Sequence, residues 1–195
     1  MSHKGHKVIG STLAILLLAV GCATTPKNEA PQRRATDYWP LAIGNSWTYR
    51  IQHGGAVQED SVTILQRDAD GFFVDSQGAR LKPHAAGVFD GDRFLLRDPL
   101  AVGTKWMAVP SANALERFEI TDVDFTVTVP AGVFEHCVRV QAMNKLSEVE
   151  NFVGEWTYAP GVGMIQFVSR REVKGKPPAP QTEMLLLRFK LEPAT

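Results

Sequence analysis

Short runs of alternating apolar and polar residues, separated by turn residues, are the feature that most constrains this chain. Apolar side chains fall on one face in residues 47–51, and the same alternation recurs in residues 123–129 and 185–191. Successive side chains of a strand point to opposite faces, so this period predicts half-buried strands. About ten such runs are joined by Gly, Pro and Asp turns. We therefore predict an all-β fold with a single antiparallel curved sheet or half-barrel.

Helical patterns are nearly absent from the sequence. Residues 111–117 and 146–151 are each long enough for one or two helical turns, but neither carries a long apolar stripe. Because helices in proteins are held mainly by packing of an apolar face, we expect at most short helices.

Three of the predicted strand segments are apolar at both odd and even positions. They are residues 72–74, 94–96 and 184–187. A strand with one face in water is usually polar at every second position, so these segments need cover on both faces. Either the sheet curls until both faces are covered, or one face holds an apolar ligand or a partner. Barrels and sandwiches commonly provide the first arrangement.

The first 22 residues combine a basic start, an apolar run and a cysteine. Residues 1–7 carry two lysines and no acidic residue, and residues 8–20 form a nearly unbroken apolar run of 13 residues. A membrane-spanning helix needs about 20 apolar residues, so this run fits a cleaved secretory signal better than an anchor. Residues 18–22, Leu-Ala-Val-Gly-Cys, resemble the lipobox of bacterial lipoproteins. An ordinary secreted protein that is cleaved nearby is the alternative.

The lipobox resemblance carries implications for location. It implies cleavage before Cys22, transfer of diacylglycerol to the Cys22 thiol and acylation of the new amino terminus. Ala23 comes directly after the cysteine. In Gram-negative lipoproteins an aspartate at that position favours retention in the inner membrane. The resemblance therefore implies a lipid anchor in the outer membrane, with the protein facing the periplasm.

Composition changes after the cysteine. Residues 23–37 are small and polar, with Pro26 and Pro31 and no hydrophobic period, which is typical of a flexible tether. The remaining 158 residues suffice for one domain. We predict a signal peptide at 1–21, the lipidated Cys22 with a flexible linker at 22–37, and an antiparallel β domain at 38–195.

Charge and cysteine content exclude two classes of protein. Cleavage after residue 21 removes Lys4 and Lys7, so the 21 basic residues of the full chain fall to 19 against 21 acidic ones. There is no basic stripe, which argues against nucleic acid as a partner. With Cys22 lipidated, Cys137 has no intramolecular partner, so a disulfide framework is excluded.

A motif of eight residues occurs twice. Residues 40–47 read Pro-Leu-Ala-Ile-Gly-Asn-Ser-Trp and residues 99–106 read Pro-Leu-Ala-Val-Gly-Thr-Lys-Trp, with five identical positions. Proline presets the corner, glycine permits a positive φ, and tryptophan begins a strand. The simpler interpretation is two corners with the same turn chemistry. An internal duplication of a corner-strand-loop-strand unit is the alternative, although the residues after each tryptophan match poorly.

Three turn motifs carry a resemblance that spans most of the domain. They are Trp-Pro-Leu with Gly-Asn-Ser-Trp in residues 39–47, Val-Pro-Ala-Gly-Val-Phe at 129–134 with Cys137, and Tyr-Ala-Pro-Gly-Val-Gly at 158–163. Together they resemble a group of uncharacterised bacterial secreted proteins and lipoproteins. Such domains are similar to the curved half-barrels of periplasmic lipoprotein carriers and receptors, an analogy of fold that assigns no function.

No established catalytic motif occurs in the sequence. There is no serine flanked by glycines, no phosphate-binding loop and no His-Glu-x-x-His pair. After the signal, His53, His84 and His136 lie far apart in the sequence, whereas zinc needs three or four converging ligands. We predict no catalytic, cofactor-binding or metal-binding residues.

Three local patterns favour structural interpretations. On a strand, His136 and Cys137 point to opposite faces, so we expect Cys137 to be a buried apolar residue and not a nucleophile. Residues 68–71, Asp-Ala-Asp-Gly, resemble the start of a calcium loop but lack the later ligands, which favours a hairpin turn. Asp122 and Asp124 share a strand face, and a solvated edge is favoured over a paired acid site.

These patterns together predict a membrane-anchored, non-enzymatic bacterial lipoprotein. Acyl chains on Cys22 would hold it, and its β domain would bind an apolar ligand or an envelope protein; we expect no cofactor. The alternative is a structural or assembly lipoprotein that docks on another envelope protein. An enzyme would require a cleft in which His84, Asp122 or Cys137 converges with other polar groups.

Overall fold

The computed structural model describes residues 1–2, 33–111 and 114–193. The chain divides into a unit Met1–Gln32 and a compact unit Arg33–Thr195. Apart from residues 1–2, the predicted signal peptide lies outside the described residues, and so does Cys22. Where it is described, the compact unit has one short 3-10 helix, Ala35–Tyr38, and otherwise only strands. They are β1 Ser46–His53, β2 Ala56–Arg67, β3 Phe73–Asp75, β4 Arg80–His84, β5 Gly87–Phe89, β6 Phe94–Arg97, β7 Lys105–Ser111, β8 Ala114–Val129, β9 Gly132–Lys145, β10 Glu150–Ala159, β11 Gly163–Val173 and β12 Ala179–Lys190.

The strands form one antiparallel sheet in the order β6-β5-β4-β3-β2-β1-β12-β11-β10-β9-β8-β7. All neighbours are consecutive in the chain except β1 and β12, which pair with Trp47 opposite Phe189. The chain therefore makes two meanders of six strands, β1–β6 and β7–β12. The prediction of a single antiparallel curved sheet is confirmed.

The two outer strands of the sheet come together. On β7, the Trp106 Nε1–H donates to the Phe94 carbonyl of β6 at 2.8 Å. The guanidinium of Arg93, which precedes β6, pairs with the carboxylate of Glu116 on β8. The sheet is thus curled until it is nearly closed. We call the junction between β6 and β7 the seam.

The beginning of the compact unit packs into the curled sheet. Ala35 and Tyr38 are buried in a core cluster with residues of β6 to β10. Arg34 Nε contacts Asp98 at 3.0 Å, and the Ala35 amide donates to the same carboxylate at 2.9 Å. Residues 33–37, the last part of the predicted linker, therefore belong to the compact unit.

Both faces of the sheet are covered around β9 and β10. Adjacent residues there belong to different clusters: Val138 and Tyr158 to the first, Cys137 and Ala159 to the second. The far half of the β8–β9 hairpin supplies this second cover, because Val129 packs in the second cluster with residues of β11 and β12. Around β9 and β10 the curled sheet therefore has both of its faces covered by protein.

The predicted strand count is wrong, whereas the expectation of at most short helices is confirmed for the described residues. The sheet has 12 strands and not about ten, and among the strands that the alternation did not reveal is β4, which contains Pro83. Residues 114–117 open β8, where they pair with β7 and are not helical. Residues 146–149 form the bend before β10, closed by the Leu146 amide on the Glu150 carbonyl at 2.9 Å.

Candidate apolar cavity

A cavity of about 240 Å³ lies between the N-terminal segment of the compact unit and the strands of both meanders. Its wall is mainly aromatic and aliphatic, and includes Trp39, Trp47, Phe73, Leu81, Met164 and Met184. Ligand pockets typically measure about 300–1,000 Å³, so this cavity has room for one slender apolar group.

The wall includes one residue from each of the three segments that the sequence marks as apolar on both faces. They are Phe73 on β3, Leu95 on β6 and Met184 on β12. On β6, Leu96 is fully buried in the first core cluster, so the adjacent Leu95 is turned toward the cavity on the other face. Phe73 and Met184 instead pack against the second core cluster, to which Leu186 belongs, so the cavity lies within the apolar surface of that cluster.

The polar atoms of two aromatic side chains in the wall are already paired. Trp47 Nε1–H donates to the Val162 carbonyl at 2.6 Å, and the Tyr49 hydroxyl donates to the Met164 carbonyl at 2.9 Å. Burial raises the pKa of the Tyr49 hydroxyl, so this group stays neutral. These side chains therefore offer apolar contact to an occupant.

Polar groups of the cavity gather at the turn between β3 and β4. Asp75 Oδ1 accepts hydrogen bonds from the amides of Gln77 and Ala79 at 2.9 and 2.8 Å. The Gln77 amide group donates to Asp60 Oδ2 at 2.8 Å. Gln77 is exposed, so this turn forms a polar, water-facing rim. An amphiphile in the cavity would place its polar end at that rim.

An open groove of about 410 Å³ lies along β7, β8 and β9, and two depressions that are also larger than the cavity lie at hairpin ends. One, of about 500 Å³, borders Gly54, Gly55 and Pro180, and another, of about 530 Å³, borders Glu150 and Lys174. Turn residues and charged side chains line them, and they lack the aromatic wall of the 240 Å³ cavity. We therefore regard the smaller cavity as the candidate ligand site.

The structure places the three histidines apart. His53 ends β1 and shares a hydrogen bond with Thr182 Oγ1 at 2.8 Å. His84 ends β4, and its ring packs edge-on against the Phe94 ring, with 5.3 Å between the ring centroids. His136 bonds to Asp124 on the neighbouring strand. In the described ranges, no three His, Cys, Asp or Glu residues converge as metal ligands would.

The predicted burial of Cys137 is confirmed. Its thiol is 0% exposed and contacts the Phe134 carbonyl at 3.3 Å, whereas the His136 ring is partly exposed and turned to Asp124. Burial raises the pKa of the Cys137 thiol to about 11, so the thiol is neutral at ordinary pH.

The acidic patterns are likewise explained by local structure. Asp122 lies 3.8 Å from Arg139, and Asp124 bonds to His136, so each aspartate has its own partner. Asp68 Oδ1 accepts the amides of Asp70 and Phe72 at 3.0 and 2.9 Å, which confirms a hairpin turn at 68–71.

Sequence reasoning did not assemble this cavity. Trp39 and Leu41 belong to a turn motif, and Leu81 lies on the strand that the pattern missed. The one signal in the sequence was the set of doubly apolar segments, which indicated surfaces in need of cover without saying which surfaces meet.

Comparisons with known proteins give likeness of fold alone. No protein-family model matches the sequence, and no curated protein matches it. A crystal structure described as a candidate lipoprotein from Parabacteroides distasonis is 13% identical, with a TM-score of 0.42, covering 81% of this chain and 100% of that one. A candidate exported protein with a YmcC-like fold from Bacteroides fragilis is 18% identical, also with a TM-score of 0.42, covering 78% and 98%. Within the described ranges, no helix has the length and apolar character needed to cross a bilayer.

Proposed function

We propose that this chain is a lipid-anchored protein of the bacterial envelope whose β domain holds an apolar ligand without chemical conversion. The observation that carries the proposal is the wall of the 240 Å³ cavity, to which Phe73, Leu95 and Met184 contribute. Binding of an apolar ligand there is favourable because it removes apolar surface of the ligand and of the wall from water. A single hydrocarbon chain, with its polar end at the Gln77 rim, is the ligand that fits best.

The lipid anchor rests on Cys22. Each buried methylene contributes about 0.8 kcal/mol to membrane binding, and two or more chains hold a protein firmly where one chain is marginal. A multiply acylated Cys22 would therefore keep the β domain at a membrane surface. Ala23 at the next position supports the outer membrane as the destination.

Two features support a binding role over an enzymatic one. His53, His84 and His136 have separate partners, and none of the three lines the 240 Å³ cavity. The Cys137 thiol is buried and neutral. A nucleophilic cysteine requires a lowered pKa and access, and Cys137 has the reverse of both.

The ligand is tested on protein extracted from membranes of its own host. Native mass spectrometry followed by lipid extraction should recover a hydrocarbon-bearing compound in stoichiometric amount. Leu81→Trp fills the cavity and should abolish recovery, while Leu65→Trp is the matched control because Leu65 is 57% exposed on β2. A folded, ligand-free wild-type protein that takes up no fatty acid or phospholipid would contradict the ligand.

The anchor is tested by Cys22→Ser. Without the thiol, diacylglycerol cannot be transferred, so the protein should leave the membrane fraction and appear in the soluble periplasmic fraction. Mass analysis of the wild-type protein should find an acylated residue 22 at its amino terminus. An unmodified first residue, or unchanged membrane association of the variant, would refute the anchor.

A further inference from the structure

Apolar side chains project into solvent from the outward side of β7 and β8. Met107 is 69% exposed, Val109 66% and Leu115 37%. Their neighbours Trp106, Ala108 and Phe118 are buried, so the core is completed by the alternate positions of the same strands. Single exposed apolar residues are common on protein surfaces, but a cluster on two adjacent strands indicates an interaction site.

Strand register places these residues together. Met107 lies opposite Arg117, which lies opposite Met143 on β9, and Lys105 lies opposite Glu119. A groove of about 410 Å³ crosses these strands, and its lining includes Lys105, Met107, Arg117 and Met143. Val109 and Leu115 continue the apolar row toward the β7–β8 turn. We call this surface, formed by Lys105, Met107, Val109, Leu115, Arg117 and Met143, the β7 face.

The sheet surface beside the β7 face has a different chemistry. Gln141 donates to Glu155 at 3.0 Å, and Arg170 contacts both Glu155 and Glu172. Desolvation would raise the pKa of Glu155, but the hydrogen bonds from Arg170 and Gln141 outweigh it and the pKa is lowered. The surface of β9, β10 and β11 is therefore formed by paired charged side chains, in contrast to the apolar row on β7.

We propose that the β7 face rests on the bilayer that holds the acyl chains of Cys22, an inference that depends on the proposed lipid anchor. Eleven residue steps separate Cys22 from Arg33, which allow a span of at most about 40 Å. Arg34 is fixed to Asp98, at the start of the loop that leads into β7. Arg34 also donates to the Ala85 carbonyl between β4 and β5, so the chain toward the anchor leaves the compact unit next to the end of β6 and the loop that leads into β7. A span of this length lets the β7 face reach the bilayer.

Charge on the β7 face suits a phospholipid surface. Lys105 is 3.3 Å from Glu119 and is partly neutralised by it. Within the described ranges, Arg117 has no carboxylate at ion-pair distance, so the face carries a net positive charge. Basic side chains close to an anionic leaflet favour binding modestly, so the apolar residues supply most of the attraction.

The contact should be shallow. As an outer strand of the sheet, β7 has backbone groups without ladder partners on one side, and such groups are costly in hydrocarbon. Apolar side chains can enter the headgroup region while the backbone stays hydrated. The β7 face therefore lies on the bilayer without crossing it.

The test uses the full lipidated protein with an environment-sensitive fluorophore on a single introduced cysteine. Val109→Cys labels the β7 face, and Val57→Cys is the matched control because Val57 is a 62% exposed valine on β2. The natural cysteines do not interfere, since Cys22 is acylated and Cys137 is 0% exposed. Each protein is reconstituted in vesicles of phosphatidylethanolamine with a minority of phosphatidylglycerol.

The label at position 109 should show a blue shift and quenching by lipid-borne quenchers, and the label at position 57 should show neither. Vesicle-bound protein with both labels in water would overturn the docking and leave the anchor intact. Protein without acylation at Cys22 would overturn both proposals. A blue shift that occurs in cells but is absent from protein-free vesicles would overturn membrane docking in favour of a protein partner.

Discussion

Asp124 and His136 face each other across β8 and β9, and both have a left-handed backbone, with φ of 59° and 57°. Their side chains are hydrogen bonded. Asp124 is left out of the ladder between the pairs Val123–Val138 and Phe125–Cys137, and His136 is left out between Phe125–Cys137 and Val127–Phe134, so both residues bulge from the ladder. This double bulge lies where the hairpin changes cover, from the first core cluster at Val138 to the second at Cys137.

Substitutions at Asp124 should show how much the left-handed backbone at this bulge costs in free energy of unfolding. The left-handed conformation costs about 1–2 kcal/mol for an ordinary residue and more for a β-branched one. We expect Asp124→Val to lower the free energy of unfolding by about 2 kcal/mol or more. Asp124→Gly relieves the backbone but loses the hydrogen bond, so its effect should stay within about 1 kcal/mol. Urea denaturation measures both.

Asp122→Val is the matched control for the bulge. Asp122 lies two residues away on the same strand and does not have a positive φ. Its carboxylate is 3.8 Å from the guanidinium of Arg139. Exposed pairs of this kind contribute about 0–1 kcal/mol, so we expect a small change. Equal losses from Asp122→Val and Asp124→Val would show that the left-handed backbone at Asp124 is not the reason.

The repeated eight-residue motif makes the same backbone hydrogen bonds to the sheet in its two copies. The amide of Gly44 and the carbonyl of Asn45 bond to Ile64, and the amide of Gly103 and the carbonyl of Thr104 bond in the same way to Ile120, all at 2.8–2.9 Å. Each copy opens one of the two six-stranded meanders. Shared turn chemistry and an internal duplication both account for this equivalence.

The side chains of the two corners should differ in importance. Asn45 is 1% exposed, donates to the Pro40 carbonyl at 2.6 Å and accepts from the Glu192 amide at 2.7 Å. Asn45→Ala leaves both groups unpaired and should cost about 3 kcal/mol of unfolding free energy. Thr104 makes only the equivalent bond to Pro99 at 2.8 Å, so Thr104→Ala should cost about 1 kcal/mol. Thermal and urea unfolding of the two variants give the comparison, and a larger loss from Thr104→Ala would contradict it.

Sequence patterns predicted the strands better than their arrangement. Alternation located β1, β8 and β12, because local periodicity reports directly which face is buried. The same local method missed β4, because Pro83 interrupts the alternation in this strand of five residues. Pairing with the neighbouring strands holds β4 in place. Local pattern therefore fails where pairing supplies the stability.

The candidate site required contacts between distant residues. Phe73, Leu95 and Met184 were recognisable as needing cover, but their meeting depends on closure at the seam. That closure rests on side chains such as Arg93 and Glu116, which lie 23 positions apart and carry no mark in the sequence. The sequence thus predicted which apolar segments need cover, but not that they meet in one cavity.

The buried thiol should make stability fall at alkaline pH. A free cysteine has a pKa of about 8.5, whereas burial raises that of Cys137 to about 11. Between these values the unfolded chain releases a proton that the folded protein keeps, so unfolding becomes easier as pH rises from about 9 to 11. Cys137→Ala should be less stable at neutral pH but show a shallower decline in this window. Identical slopes of unfolding free energy against pH would contradict the raised pKa.

The seam should be sensitive to loss of its ion pair. Glu116 is 9% exposed, bonds to Arg93 and also accepts from the Asn144 amide at 3.2 Å. Arg93→Met would leave its carboxylate without a cation and should cost about 2–3 kcal/mol, and adding Glu116→Gln should recover part of the loss. Hydrogen exchange at β6 and β7 should quicken in the single variant.

A control for the seam comes from an exposed pair. Arg188 and Glu59 are 3.3 Å apart with side chains 66% and 58% exposed, so Arg188→Met should change the unfolding free energy by less than about 1 kcal/mol. If Arg93→Met and Arg188→Met had the same small effect, the ion pair would not hold the seam. Faster exchange confined to β6 and β7 in Arg93→Met would instead show that closure of the sheet, and with it the cavity wall at Leu95, depends on this contact.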